Sequence, residues 1–145
     1  MPVQKVFLDA NILVTVLCNE YPRFGPCARV LSLCDDPRFE VYTSPLCMAI
    51  GAYYAAKKNG KKQALQKVRL LGEKLRMTNM GESAMQRTLA DKRILDIEDG
   101  LQYHSAIDAK CGFILTYDRR DFHFAEIPVM DAEDFLLKHV VTKRV

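Results

Sequence analysis

No apolar stretch in this chain approaches the roughly 20 residues that a helix needs to cross a bilayer. The first residues, Met1-Pro2-Val3-Gln4-Lys5, run straight into a strand-like segment and lack the pattern of a signal peptide. A cytoplasmic protein without a membrane partner is therefore expected. Cys-x-x-Cys pairs are absent, and so is the ligand spacing of a zinc site. The five cysteines, Cys18, Cys27, Cys34, Cys47 and Cys111, are odd in number and read as buried thiols. Cys27 and Cys34 could share a helix face, but no histidine pair lies near them in sequence. Internal repeats, linkers and low-complexity segments are lacking too. The 145 residues, 49% hydrophobic and 27% charged, fit a single domain spanning residues 1–145. A chain of that size can bury a core without disulfides or a structural metal.

Acidic residues are missing from residues 41–72, a stretch that carries Lys57, Lys58, Lys61, Lys62, Lys67 and Arg69. Taken singly, each reads as solvated helix surface. As a block they are a candidate phosphate-facing patch for nucleic acid. Arg119-Arg120 and Lys143-Arg144 add smaller basic points. The net charge of +3 neither demands nor excludes a nucleic-acid partner, because distribution matters more than the sum.

The order of elements follows from periodicity and punctuation. Short apolar runs at 3–8, 39–42, 112–116 and 127–130 read as strands, with a brief one at 76–78. Helical spacing covers 10–18, 27–34, 45–58, 61–75, 81–90, 97–110 and 132–140. Asp9 or Asn11, Ser44, Asp96 and Asp131 are available as N-caps, and Pro45 suits a first turn. Residues 21–26 read as a loop, Asn59-Gly60 as a stop, and 141–145 as a tail. Strands alternating with helices imply an α/β fold: a mostly parallel central sheet with helices on both faces.

Three acidic stretches sit where such a fold could bring them together. They are Phe7-Leu8-Asp9-Ala10-Asn11, Asp96-Ile97-Glu98-Asp99 and Thr116-Tyr117-Asp118-Arg119-Arg120-Asp121-Phe122. Each acid alone has an ordinary explanation: a cap for Asp9, a capping-box approximation for Asp99, a helix-dipole partner for Glu98, turn roles for Asp118 and Asp121. The conjunction is harder to dismiss. The carboxyl ends of parallel strands share one edge, so Asp9 and Asp118 can approach, and a helix starting there brings Asp99. Such carboxylates repel unless a cation joins them. Mg²⁺ or Mn²⁺ is the expected ion, able to activate water and to neutralise charge on a phosphodiester.

Those stretches, in that order, resemble the PIN domain, the fold of many small metal-dependent ribonucleases, VapC-type toxins among them. The resemblance runs through Val6-Phe7-Leu8-Asp9-Ala10-Asn11-Ile12-Leu13, Ile97-Glu98-Asp99-Gly100-Leu101-Gln102-Tyr103-His104-Ser105-Ala106 and Phe113-Ile114-Leu115-Thr116-Tyr117-Asp118-Arg119-Arg120-Asp121-Phe122. It ends at Ile127-Pro128-Val129-Met130 followed by a helix. The Glu-Asp-x-Leu-Gln-Tyr segment is similar to that of one bacterial subgroup. The resemblance implies a three-layer α/β/α sandwich with an acidic pocket at one sheet edge. It places Asp9, Asp99 and Asp118 on the metal-binding aspartates and Asp121 on an additional acidic position. Asn11 and Thr116 fall on supporting polar positions. The implied reaction is hydrolysis of RNA by a metal-activated water, leaving a 5′-phosphate and a 3′-hydroxyl. Implied partners are RNA and an antitoxin protein, with a homodimer also in view.

The chain departs from the family in the helix after the second strand, where a glutamate is common. Here that helix reads Ser44-Pro45-Leu46-Cys47-Met48-Ala49-Ile50-Gly51-Ala52, without an acid. Glu98 is a candidate substitute, but adjacent helical residues point about 100° apart, so only one of Glu98 and Asp99 is expected to face the pocket. Two other readings compete. One is a PIN fold that has lost catalysis and only binds RNA or protein. The other is a haloacid-dehalogenase-like phosphatase, which wants a D-x-D triplet where this chain has Asp9-Ala10-Asn11.

Overall fold

The strand Gln4–Leu8 (β1) is buried on both faces over its last three residues, which is why it carries the run Val6-Phe7-Leu8 and no alternation. It is the middle strand of five in a computed structural model that describes residues 2–141. The others are Phe39–Thr43 (β2), Arg76–Met77 (β3), Phe113–Leu115 (β4) and Val129–Met130 (β5). Their order is β3-β2-β1-β4-β5, and every pairing is parallel. The chain lays down β1, β2 and β3 in one direction, then returns to place β4 and β5 on the other side of β1. That reversal makes β1 and β4 the edge where side chains from both halves meet, the usual position of a ligand crevice in a doubly wound sheet.

Among the described residues seven α-helices cover the sheet: Ala10–Leu17 (α1), Phe24–Leu31 (α2), Pro45–Asn59 (α3), Lys61–Lys74 (α4), Glu82–Ala90 (α5), Ile97–Asp108 (α6) and Ala132–Phe135 (α7). They pack in two groups, α1 to α4 with α7, and α5 with α6. Right-handed crossovers put those groups on opposite faces. The result is the expected α/β/α sandwich.

The caps follow the sequence signals. Asp9 caps α1, Asp96 caps α6, Asp131 caps α7, and Ser44 Oγ accepts from Cys47 N–H at 2.9 Å with Pro45 in the first turn of α3. Gly60, at φ +87°, supplies the left-handed turn between α3 and α4. All five cysteines are free, four of them buried.

Some boundaries differ from the expectation. Residues 24–26 are helical, because a proline in the first turn gives up an N–H that has no intrahelical partner anyway. That helix ends early in the 3₁₀ turn Ser32–Asp35. The last helix is a single α turn that widens into a π turn over Leu136–Val140. Lys143 and Arg144, with the rest of residues 142–145, lie outside the described residues.

One glycine sets the position of α6. A Cβ on Gly100 would stand 2.5 Å from Thr88 Cγ2 and 2.9 Å from Ile94 Cγ2, so α6 approaches α5 and the preceding loop more closely than any other residue permits. Gly100 follows Glu98 and Asp99 directly, so this contact also fixes the height of both acids over the sheet edge. Gly100→Ala is expected to destabilise the chain by about 1–3 kcal/mol, measured by urea unfolding. An unchanged midpoint would show that α6 can shift to admit a methyl group.

Candidate active site at the carboxyl edge of the sheet

In the β1–β4 register Leu8 stands opposite Leu115, so the next residues out, Asp9 and Thr116, leave the sheet side by side. Asp9 N–H donates to Leu115 O at 3.0 Å. Thr116 Oγ donates its one proton to Asp9 Oδ2 at 2.9 Å and accepts from Asn11 Nδ2 at 2.9 Å and from Asp118 N–H at 3.0 Å. Its hydrogen-bonding capacity is used up. The Asn11 amide completes the brace: Nδ2 also donates to Asp118 Oδ2 at 3.2 Å, and Oδ1 accepts from Tyr117 N–H at 3.2 Å. Two strands far apart in sequence thus present Asp9 and Asp118 in a fixed relation.

Glu98, Asp99 and Asp121 line the same cleft, which has a volume of about 340 Å³. Both Glu98 and Asp99 border it, against the expectation that only one would. The cleft wraps the first turn of α6 instead of facing one stripe of it. Asp96 accepts from Glu98 N–H at 2.8 Å, so Asp96 holds the cap and leaves Asp99 to the cleft. Burial pushes the Asp9 carboxyl up to about 6, opposed by its bonds from Ala10 and Thr116 and reinforced by Asp118 and Glu98. Burial likewise raises Asp99 to about 7, with Asp121, Asp96, Asp9 and Glu98 adding repulsion. Neither Asp9 nor Asp99 makes an ion pair among the described residues.

The α3 side of the cleft shows where the missing acid belongs. Ile50 lines it, and so does Tyr54 one turn on. Gly51 points the other way, where a Cβ would meet Leu17 Cδ1 at 2.9 Å, so no acid fits there. Glu98 and Ile50 share the wall of an adjoining hollow. Glu98 therefore occupies the neighbourhood that a carboxylate on α3 would fill. Cys47, also on α3, sets its thiol 3.9 Å from Asp9 Oδ1, and burial beside that carboxylate pushes it up to about 12. It is a packing thiol, not a nucleophile.

The basic candidates are more scattered. None of Lys57, Lys58, Lys61 and Lys62 lines the acidic cleft. Lys58 donates to Cys18 O and Lys67 to Leu17 O at 3.2 Å, so both cap the carbonyl end of α1. Lys61 and Lys62 are exposed on the first turn of α4. Arg119 does not pair with Asp118 or Asp121. It turns to Asp131 at 3.1 Å and Asp134 at 2.5 Å. Arg120 lines a hollow shared with Asp99 and Asp121. Sequence reading missed Arg23, which reaches the cleft from the turn just before α2, and Tyr54, which reaches it from α3.

A larger hollow of about 460 Å³ opens beside β3 and α5, but Tyr42, Glu82 and Asp108 are its ionisable side chains and they form no convergent set. In the acidic cleft the donors are hard oxygens, as a divalent cation of the Mg²⁺ class requires. As they lie, no three acids, histidines or thiols among the described residues are close enough together to hold one ion. Asp118, Asp121 and Glu98 are exposed and Asp99 half-buried, so they are able to turn inward.

The raised carboxyls have a measurable consequence. Between the ordinary aspartate value and the raised one, the folded chain holds protons that the unfolded chain has released. Stability of the metal-free protein must therefore fall as pH rises from about 4 to about 7. Urea unfolding across that range should show Asp9 contributing a loss on the order of 1–3 kcal/mol, seen as a shallower slope in Asp9→Asn than in the unsubstituted chain. Parallel slopes would mean that Asp9 titrates normally.

Comparison with known proteins agrees with this fold. A family model described as PIN domain matches residues 5–120. Ribonuclease VapC1 of Aquifex aeolicus (strain VF5) is 27% identical over 139 residues, 93% of this chain and 95% of that protein. Among solved structures, VapBC-1 from nontypeable Haemophilus influenzae matches with a TM-score of 0.69 at 17% identity, covering 90% of this chain and 99% of that one. Mycobacterium tuberculosis VapC20, a toxin that cleaves the sarcin–ricin loop, matches with a TM-score of 0.66 at 15% identity over 84% and 95%. With a match across most of its length and the acids gathered where β1 and β4 end, the chain belongs to the PIN domain family.

Proposed function

We propose that this chain is a Mg²⁺- or Mn²⁺-dependent endoribonuclease and the toxin of a toxin–antitoxin pair. The observation that carries the reading is the cleft in which Asp9, Glu98, Asp99, Asp118 and Asp121 meet, with Asn11 and Thr116 fixing Asp9 against Asp118. Family membership and the relative named as a ribonuclease support it. Asp9, Asp99 and Asp118 would hold the ion, with Glu98 and Asp121 beside them. The ion would supply an activated water and charge neutralisation at the phosphate. Thr116 and Asn11 hold Asp9 and the backbone at Asp118 in place, so that Asp99 and Asp118 need only turn their side chains inward. Because Asp9 and Asp99 are raised to about 6 and about 7, loading the cleft below neutrality displaces protons, and affinity rises with pH.

A binding-only protein remains the rival, since α3 has no acid. The position of Glu98 beside Ile50 favours a working site. The phosphatase reading is overturned by the family match, and Asn11 is tied to Thr116, Tyr117 and Asp118 instead of being free for proton transfer. The similar fold of VapBC2 from Rickettsia felis and VapBC-1 from nontypeable Haemophilus influenzae supports an antitoxin partner. Exposed Leu89, Leu95 and Ile97 offer apolar surface for it or for a second copy. No described helix is long and apolar enough to cross a membrane.

The test is cleavage of single-stranded RNA by the purified chain. Activity should vanish in EDTA, return with Mn²⁺, and fall by roughly two orders of magnitude or more in Asp118→Asn. In the same assay Glu98→Gln should slow turnover with little change in melting temperature, and Ile50→Glu in that background should restore part of it. Activity that persists in EDTA would overturn the metal-dependent reading. A chain that binds Mn²⁺ and RNA without cutting would favour the binding-only rival.

A further inference from the structure

The acidic cleft does not end at its acids. Hollows of about 270 and 370 Å³ adjoin it, and Glu98 lines all three, so they form one groove. Arg120 stands at one end and Tyr53 and Tyr54 at the other. Resting on the ribonuclease reading, we propose that this groove is a track for single-stranded RNA, in which Arg23 grips a phosphate at the flank of the acids and Tyr54 stacks a base.

Arg23 is the sole basic side chain lining the central cleft among the described residues. Its guanidinium carbon lies 3.9 Å over the Tyr117 ring, and it makes no ion pair among the described residues. Tyr117 is itself pinned: its hydroxyl donates to Glu133 and lies 3.5 Å from Cys27 Sγ, and its N–H is held by Asn11. A guanidinium held over a fixed ring has its place set, and this one makes no hydrogen bond among the described residues, the arrangement that suits a phosphate. The link through Tyr117 to Asn11 ties Arg23 to the same brace that positions Asp9 and Asp118.

On the α3 wall, Tyr53 and Tyr54 are 56% and 48% exposed, with ring centroids 5.3 Å apart at 82°. Lys57 Nζ lies 4.9 Å above the Tyr53 ring. Aromatic faces beside cations are what unpaired bases on a phosphate backbone need, and they tolerate any sequence. A basic peptide would also be drawn to the acids, but Arg23 and Arg120 in the groove would oppose it. An RNA strand meets cations at its phosphates and rings at its bases, leaving only the scissile region over the acids.

Fluorescence anisotropy with an end-labelled single-stranded oligoribonucleotide, in Ca²⁺ to limit turnover, tests the track, alongside kinetics in Mn²⁺. Arg23→Gln should weaken binding about tenfold and lower the log–log salt slope by about one unit. Arg23→Lys should keep the slope and lose part of the affinity. Tyr54→Ala should weaken binding about tenfold at unchanged slope, while Tyr54→Phe binds like the unsubstituted chain. All four should raise or preserve KM in step with binding, at nearly unchanged melting temperature. Unsubstituted protein that cleaves RNA while every variant matches its KM and slope would overturn the track and leave the nuclease. RNA binding that depends on Arg23 and Tyr54 without cleavage in Mn²⁺ would overturn the nuclease and leave the track. No RNA binding by the unsubstituted chain would overturn the track as well.

Discussion

The Thr116 hydroxyl has one proton to give and gives it to Asp9, while Asn11 and the Asp118 backbone fill its acceptor sites. The arrangement of the acidic cleft depends on that exchange. It joins the end of β1 to the end of β4 through side chains just beyond the last paired residues, adding to the backbone bond from Asp9 N–H to Leu115 O. Two acids that repel are thereby kept at a set separation in the absence of any ion. Bonds of this kind are worth about 1.5–3 kcal/mol each when they reach a charged acceptor, and they offset part of the strain of gathering like charges.

The remaining strain is visible in the acids themselves. Asp9 and Asp99 are both pushed up toward neutrality, by burial first and by one another's neighbours second. Elsewhere in the molecule half-buried acids find cations: Asp91 is held by Arg93, with His104 Nε2 also in hydrogen-bond contact, and Asp36 by Arg38. The cleft alone gathers six acids, Glu20 included, with one arginine at its flank. A fold that tolerates this only at the carboxyl edge of its central strands is set up to gain a cation there.

The sheet and most helix starts were legible because they rest on local signals. Continuous apolar runs gave β1 and β4, and Ser44-Pro45 and Asp96 marked helix entries that the structure keeps. The convergence of Asp9, Asp118 and Asp99 was legible from topology, since parallel strands share an edge. What could not be read was side-chain traffic across the fold. Lys58 and Lys67 look like free basic surface in sequence, yet their targets are carbonyls about forty to fifty residues away. Arg119 sits next to Asp118 in the chain but bonds on the far side, to Asp131 and Asp134. Arg23 was hidden by a Pro- and Gly-rich stretch that reads as a loop and folds as a helix start. The roles of Ile50 and Gly51 separate only once the packing of α3 against α1 is known.

The account turns on whether the braced acids hold a divalent ion. A crystal structure at millimolar Mn²⁺, with anomalous diffraction at the manganese edge, addresses that without relying on activity. A peak between Asp9, Asp99 and Asp118, with Asp99 and Asp118 turned inward and the Thr116–Asp9 bond intact, is the predicted result. Absence of a peak there at saturating Mn²⁺, with the acids still splayed toward solvent, would contradict it.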